Sequence, residues 1–472
     1  MQTDPARGGN TVLNIEEALS DAASLALEFI RSEEEKPVAP YRTPEQLLGD
    51  LDLSLQEKGL DHDEFIQLIR EVLAFTPKTC SGCFYNQLFG GRDAVATLAE
   101  ILAVVINTSM YTFKAAGPHV LIEQEVVSRM CRKVGFEHGD GILCPGGSIA
   151  NLLVMAVARN EAEPGLRETG HSGRPMTVYA SSESHYSITK SAGVIGIGRA
   201  NVRQIRTDPS GRMDVDALNR AIAEDISAGR LPVAIVATAG TTVLGAFDPV
   251  ADIAEVAGEH GVWLHVDGAF GGSVLMSGEH RHLLAGSEKA DSFIWNPHKM
   301  MGVPVVCSAA LFRNRAHLSA NLYEQAEYLF QTEDDELNPG TRSLQCGRRN
   351  DAFKLWAAWR YHGDEGYERK VQKQFALARY AADRIEADGD LALTFYPESI
   401  NVCFEVAGKS SEQICQSLRE RELAVIGYGV VWGHRVIRLV CLNDALSTAD
   451  IDDFLATVKA IAADLPPGEN DI

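Results

Sequence analysis

Through the middle of the chain, short runs of β-branched and apolar residues alternate with segments of helical period. "MTVYASS", "NVRQIRT", "PVAIVATAG", "VWLHVDGAF", "DSFIW" and "CSAALF" predict strands, because each is short, nearly continuous in apolar residues and bounded by turn formers. "DVDALNRAIAEDIS" and "PVADIAEVAGEHG", lying between them, repeat their apolar positions every three to four residues and predict helices. Strands apolar on both faces, separated by helices, predict an α/β fold: a mostly parallel sheet covered by helices on both sides. Ligands in such folds collect at the carboxyl ends of the strands.

The pattern changes on either side. Residues 1–80 are helical and acidic, with stripes in "IEEALSDAASLALEFIRSEEEK" and "FIQLIREVLAFT" split by the proline-bearing "KPVAPYRTP". The first stripe has little within its own segment to bury it, so it predicts a contact with another subunit or domain. From residue 356 to 472 the strands "NVCFEVAG" and "VIRLVCLN" and the final helix "IDDFLATVKAIAADL" predict a smaller α+β domain. Three regions follow: 1–80, 81–355 and 356–472.

With 472 residues, 45% of them hydrophobic, the chain can bury a large core. Lys and Arg total 43 against 65 Asp and Glu, a formal charge of −22 that argues against nucleic acid or an anionic membrane as partner. The start, "MQTDPARGGNTVLN", has no apolar segment of the secretory type, and no run is long enough to span a membrane. Nine cysteines, an odd number, read as reduced thiols of a cytoplasmic protein. Cys80 and Cys83 in "TCSGCF" form a lone C-x-x-C with nothing to complete it, so two loop thiols and no metal site are expected.

Four polar features fall where the predicted strands end. "NPHKMMG" directs Lys299 out of a buried strand with apolar bulk behind it; such a setting lowers an amine's pKa and suits a covalent bond to a carbonyl. "CPGGSIANLL" is a glycine turn opening a helix, with Ser148 as an N-cap, and reads as a phosphate cradle. Asp267 ends "VWLHVD", and His185 follows another strand; a carboxylate can keep a heterocyclic nitrogen protonated, and a flat ring can stack on another. Each alone has an ordinary structural reading as turn, cap or loop residue. A lysine, an aspartate and a phosphate cradle on successive βα units are together what pyridoxal phosphate requires.

From about residue 80 onward the chain resembles the group II pyridoxal-phosphate decarboxylases, in their glutamate and cysteine sulfinate decarboxylase branch. The strings "NQLF", "PGGSIAN", "SHYSI", "TAGTTVLGAFDP", "WLHVDGAFGGSVLMS", "KADS", "NPHKMMG", "YLFQ" and "QCGRR" carry the likeness. The resemblance implies a fold-type I enzyme and pyridoxal 5′-phosphate held by Lys299 as a Schiff base. It also implies Asp267 against the pyridinium, His185 stacked on the ring, Thr242 beside it, and Gly147, Ser148, Asn296 and His298 about the phosphate. Tyr328, on a mobile loop, is then the proton donor, and Arg438 clamps a substrate carboxylate beside Asn86, Gln87 and Phe89. A homodimer with active sites at the subunit interface follows by the same resemblance.

The likeness strains near the substrate. Where the family reads Y-E-x-A-P this chain has "FKAAGP", with Lys114 for the glutamate and Gly117 for the proline, and Arg92 takes an apolar position. Phe89, larger than its counterpart in glutamate enzymes, would shorten the pocket and favour aspartate or cysteine sulfinate over glutamate. Two alternatives remain at this point: another amino acid on the same scaffold, or a catalytically idle paralogue.

Overall fold

A computed structural model describes residues 13–35, 37–171, 173–324 and 335–470. Seven strands form the main sheet: β2 (Asp140–Cys144), β3 (Met176–Ser181), β4 (Val202–Ile205), β5 (Leu231–Thr238), β6 (Trp263–Gly268), β7 (Ser292–Trp295) and β8 (Ser308–Phe312), in the order β2-β8-β7-β6-β5-β3-β4. Neighbours from β7 to β4 run parallel, and β8 is antiparallel to both β7 and β2.

Successive residues of β5 show why its sequence is apolar throughout. Ile235 and Ala237 enter one hydrophobic cluster, with helical residues such as Leu218 and Ile253, while Ala234 and Val236 enter another with Met155 and Ile188. Both faces are therefore covered, which removes the polar alternation of a one-sided sheet. The parallel connections bring the C-terminal ends of β3, β5, β6 and β7 to one edge, where the polar residues gather.

A second sheet contains β1 (Phe84–Tyr85), β9 (Leu391–Leu393), β10 (Asn401–Val406), β11 (Val425–Val431) and β12 (His434–Val440), ordered β1-β11-β12-β10-β9. The expected α+β region thus recruits a strand from far upstream, since Phe84 pairs in parallel with Val425. Two residues are too short to announce a strand by alternation. The boundary expected at 355 falls inside the helix Asp351–Glu386, which breaks at Gly363, where φ is 67°. At the other end of the chain, the expected N-terminal helices are Ile15–Ser32 and His62–Ala74. Among the described residues no helix is long and apolar enough to cross a membrane.

Candidate active site

A cavity of about 400 Å³ opens at the carboxyl edge of the main sheet. Lys299, Asp267, His185, Gly147, Ser148, Thr242, Asn296, His298 and Gln87 all line it, so nine of the expected residues meet in one place despite their separation in sequence. Leu88, Tyr186, Thr238 and Phe270 complete much of the wall.

Lys299 follows β7 in a tight turn, its N–H donating to the Asn296 carbonyl at 3.0 Å, and Met300 and Met301 behind it are fully buried. Burial pushes its ammonium below the ordinary lysine value; the nearby Asp267 opposes this and Arg438 adds to it. The result is an amine biased toward its neutral, nucleophilic form. Its Nζ stands 5.9 Å from the centre of the Phe270 ring.

Asp267 ends β6 and is buried at 4% exposure, yet its two oxygens are satisfied: Oδ1 accepts from the Ala269 N–H at 3.1 Å and Oδ2 from Asn151 Nδ2 at 3.0 Å. Burial lowers the pKa of His185, with Asp267 opposing, and its Nδ1 lies 2.7 Å from Ser187 Oγ. His298 is pushed down to about 4 by burial, and its ring meets the backbone of Cys307.

The phosphate cradle is built differently from the expected cap. Gly146 is the N-cap of the helix Gly147–Ala162, with φ 107° and ψ 156°, and Ser148 lies inside the first turn. That backbone conformation excludes residues with a Cβ, so glycine takes the cap and the hydroxyl of Ser148 is left facing the cavity wall. A Cβ on Gly147 would stand 2.6 Å from Asn296 Nδ2. Backbone N–H groups therefore stay open to the cavity beside an amide, an arrangement suited to an anion.

Arg438, on β12 of the second sheet, does not itself line the cavity but touches two residues of its wall, Gln87 and Thr242. Its Nη1 donates to Gln87 Oε1 at 3.2 Å and to the Thr242 carbonyl, while its Nε has no hydrogen-bond partner. Two further buried polar atoms at the cavity, Thr238 Oγ1 and Asn296 Oδ1, also lack partners. Buried polar groups are almost always satisfied, so these three point to a polar ligand.

Other expectations separate from the site. Asn86 caps its own turn, accepting from the Leu88 N–H at 2.9 Å, and Phe89 sets its ring edge-on to Phe84 at 5.6 Å. Arg92 forms an ion pair with Glu33 at 2.6 Å, so its charge is spent on the N-terminal segment. Lys114 is exposed, and Gly117 holds φ 52°, which the ring of a proline cannot adopt. Thr241 and Thr242 stand beyond the end of β5, in the turn that follows it. Tyr328 lies outside the described residues. Among the described residues no cluster of His, Cys, Asp and Glu could hold a metal.

One group escaped sequence reasoning. Asn151 sits one helical turn after Gly147 and bonds Asp267, Ser187 and His265 at once. The i, i+4 spacing from the glycine was the available signal, since it puts both residues on the same helix face.

Comparison with known proteins places the chain in a family. The model of the pyridoxal-dependent decarboxylase conserved domain matches residues 44–407. Mouse cysteine sulfinic acid decarboxylase is 40% identical over 452 residues, covering 91% of this chain and 92% of that protein. The mouse acidic amino acid decarboxylase GADL1 is 36% identical over 476 residues, 95% of this chain and 86% of its own. The crystal structure of mouse CSAD superposes with a TM-score of 0.91 at 36% identity, covering 96% of this chain and 99% of that one. The chain belongs to the pyridoxal-dependent decarboxylase family, and its cofactor is pyridoxal phosphate.

Proposed function

We propose that the protein decarboxylates a small acidic L-amino acid, aspartate or cysteine sulfinate in preference to glutamate, releasing carbon dioxide and the corresponding amine. The observation that carries this reading is Arg438. Burial works against its charge, its Nε lacks a partner, and among the described residues no carboxylate pairs with it. A guanidinium so placed demands an anion, and a substrate carboxylate answers it bidentately. The names of the relatives, cysteine sulfinic acid decarboxylase and acidic amino acid decarboxylase, support the same substrate class.

The cofactor, when bound, supplies a sink for the electron pair left by the departing carboxylate. Lys299, its pKa lowered by burial, would offer the amine for its attachment. Asp267, whose two oxygens each accept a hydrogen bond, would pair with the ring nitrogen and favour its protonated form. His185 would stack on the ring, and Thr242 would flank it. Gly147, Ser148, Asn296 and His298 receive the phosphate; the unsatisfied Oδ1 of Asn296 and the space that a Cβ on Gly147 would close support this fit. Gln87 steadies the arginine through its side chain, and Asn86 shapes the turn that presents Gln87. Tyr328 returns the proton to the substrate carbon.

The reading includes a homodimer. Leu98, Ile101, Leu102, Val104 and Val105 are each more than two-fifths exposed on the helix Ala94–Ile106, with Ile15, Leu19 and Leu27 exposed on Ile15–Ser32, and a second subunit would cover them. It also includes the three-part division at residues 80 and 355 and a cytoplasmic setting, which cysteines held in no disulfide favour.

The test is carbon dioxide and amine release from aspartate, cysteine sulfinate, cysteate and glutamate, with a neutral and an aromatic amino acid alongside, under matched conditions. Amine and carbon dioxide in equal amounts, with kcat/KM highest for aspartate or cysteine sulfinate, is the expected result. Turnover confined to neutral or aromatic amino acids would overturn the substrate class.

A further inference from the structure

Behind the cavity a chain of buried hydrogen bonds runs from Asp267 through the sheet. Asn151 Nδ2 lies 3.0 Å from Asp267 Oδ2 and 2.9 Å from Ser187 Oγ. Asn151 Oδ1 lies 2.9 Å from His265 Nε2. His265 Nδ1 lies 3.0 Å from Ser292 Oγ, which accepts from Trp263 Nε1 at 2.8 Å. Asn151, His265, Ser187 and Ser292 are all buried at 1% exposure or less.

We propose that Asn151 and His265 are positioning residues for the cofactor site: the Nε2–H of His265 fixes the Asn151 amide so that its NH₂ group donates to both Asp267 and Ser187. One orientation thereby sets two groups that face the cofactor. It holds the Asp267 carboxylate, and it turns the Ser187 hydroxyl to donate to His185 Nδ1.

The assignment follows from counting donors at both ends. The indole of Trp263 only donates, so Ser292 accepts from it and keeps its own hydrogen available for His265 Nδ1. The remaining proton of the neutral imidazole then sits on Nε2 and points at the Asn151 oxygen. From the other end, an ionised Asp267 only accepts, so the Asn151 nitrogen must face it. The Asp267 end fixes the amide orientation and the Trp263 end agrees with it, because a flipped Asn151 would set oxygen against oxygen at Asp267. Burial pushes the His265 imidazole down to about 4, against the pull of Asp267, which keeps the ring neutral at ordinary pH. The Ser187 N–H also donates to His185 Nδ1, at 3.2 Å, which agrees with that nitrogen being an acceptor.

This inference rests on the reading that Asp267 faces the ring nitrogen of pyridoxal phosphate, and a mutant cycle separates the two. Apoenzymes carrying His265→Phe, His265→Gln, Asp267→Asn and each pair are titrated with pyridoxal 5′-phosphate. Visible absorbance and tryptophan fluorescence give the affinity, and thermal melting reports folding. His265→Phe should weaken binding roughly 10-fold, the low end of what losing an outer hydrogen-bond partner costs at a bound group. His265→Gln, whose amide nitrogen can take the place of Nε2, should restore most of it. In the Asp267→Asn background the effect of His265→Phe should fall below about twofold, because the residue acts through Asp267. Equal losses in both backgrounds, or a Gln variant no better than Phe, would overturn the inference while leaving the role of Asp267 standing. If Asp267→Asn alone left affinity unchanged, the reading of Asp267 itself would fall. Should His265→Phe not fold, Ser292→Ala replaces it in the same cycle, since it releases the Nδ1 end and frees the tautomer.

Discussion

Nη1 of Arg438 donates to the side-chain oxygen of Gln87 at 3.2 Å, joining a β12 residue to the loop after β1, 351 positions away in sequence. The contact leaves Nε free and holds the guanidinium against the cavity wall formed by Gln87 and Thr242. Arg438→Gln should therefore raise KM for acidic substrates. A charged hydrogen-bonded pair is worth about 1.5–3 kcal/mol, so kcat/KM should drop by about one to two orders of magnitude. Steady-state kinetics on aspartate and cysteine sulfinate check this, with cofactor absorbance as the control. An unchanged KM would assign Arg438 to the scaffold.

Gly147 gives a prediction about space alone. A Cβ there would meet Asn296 Nδ2 at 2.6 Å, and both residues line the cavity where the phosphate is proposed to lie. Gly147→Ala should push the asparagine into the phosphate position and weaken pyridoxal phosphate binding by about 5- to 150-fold, an overpacking cost of roughly 1–3 kcal/mol. Equilibrium titration of the apoenzyme measures it. Wild-type affinity in a folded variant would move the phosphate elsewhere.

Much of this architecture was legible because parallel sheets announce themselves. Strands buried on both faces, such as β5, are apolar without interruption, and the residues just past their ends stand at the ligand edge by topology alone. That logic reached Lys299, Asp267 and His185. It could not reach β1, whose two residues carry no period, nor the pairing of Arg92 with Glu33, which depends on how the N-terminal segment docks. The link from Asn151 to His265 escaped for a related reason: it joins a helix face to a strand interior, and only the packed structure brings them within 2.9 Å. Gly146 replaced Ser148 as the cap because a backbone at φ 107° outweighs the preference for a hydroxyl there.

Leu88 and Phe89 part company in the structure. Leu88 lines the cavity, and Phe89 contacts Phe84. Leu88→Ala should therefore shift the ratio of kcat/KM values toward the longer glutamate, by up to about 1–3 kcal/mol for a methylene of pocket length. Phe89→Ser should leave that ratio nearly unchanged while lowering stability. A shift caused by Phe89→Ser alone would return that residue to the substrate wall.

Outside the cavity lining, Arg348 and Glu123 form a bidentate ion pair at 2.7 and 2.5 Å, with side-chain exposures of 3% and 6%. The same arginine donates to the Met110 carbonyl at 3.1 Å, and Glu123 accepts from the Leu143 N–H at 3.1 Å. The pair ties the helix Pro118–Val134 to the main sheet and to the segment leading into Asp351–Glu386. Glu123→Gln would strand a buried guanidinium, and unfolding free energy should fall by about 3–5 kcal/mol. Denaturant titration would detect a loss of that size; a loss under about 1 kcal/mol would mean that water or rearrangement satisfies the arginine.

Lys299 links chemistry to stability through its proton. Burial lowers its pKa in the folded apoenzyme below the 10.5 of an ordinary lysine, with Asp267 opposing and Arg438 assisting. Between the folded value and 10.5 the unfolded chain therefore binds a proton that the folded one lacks, and stability rises with pH across that window. Below the folded value both states are protonated and the cost of the buried ammonium is present in full; above 10.5 neither is, and the cost is gone. Lys299→Met fills the same space without the titration. The variant apoenzyme should accordingly be more stable than the wild type near pH 7, and its advantage should shrink steadily as pH approaches 10, at a slope of at most about 1.4 kcal/mol per pH unit. Urea unfolding of both apoenzymes at several pH values isolates this difference from other titrating groups, which the two proteins share. An advantage that stayed constant up to about pH 10 would mean that the amine is charged in both states. The same variant should bind pyridoxal phosphate without the covalent absorbance band and lose turnover, so one substitution would register the lysine twice, as a cost to the fold and as the amine that the reaction needs.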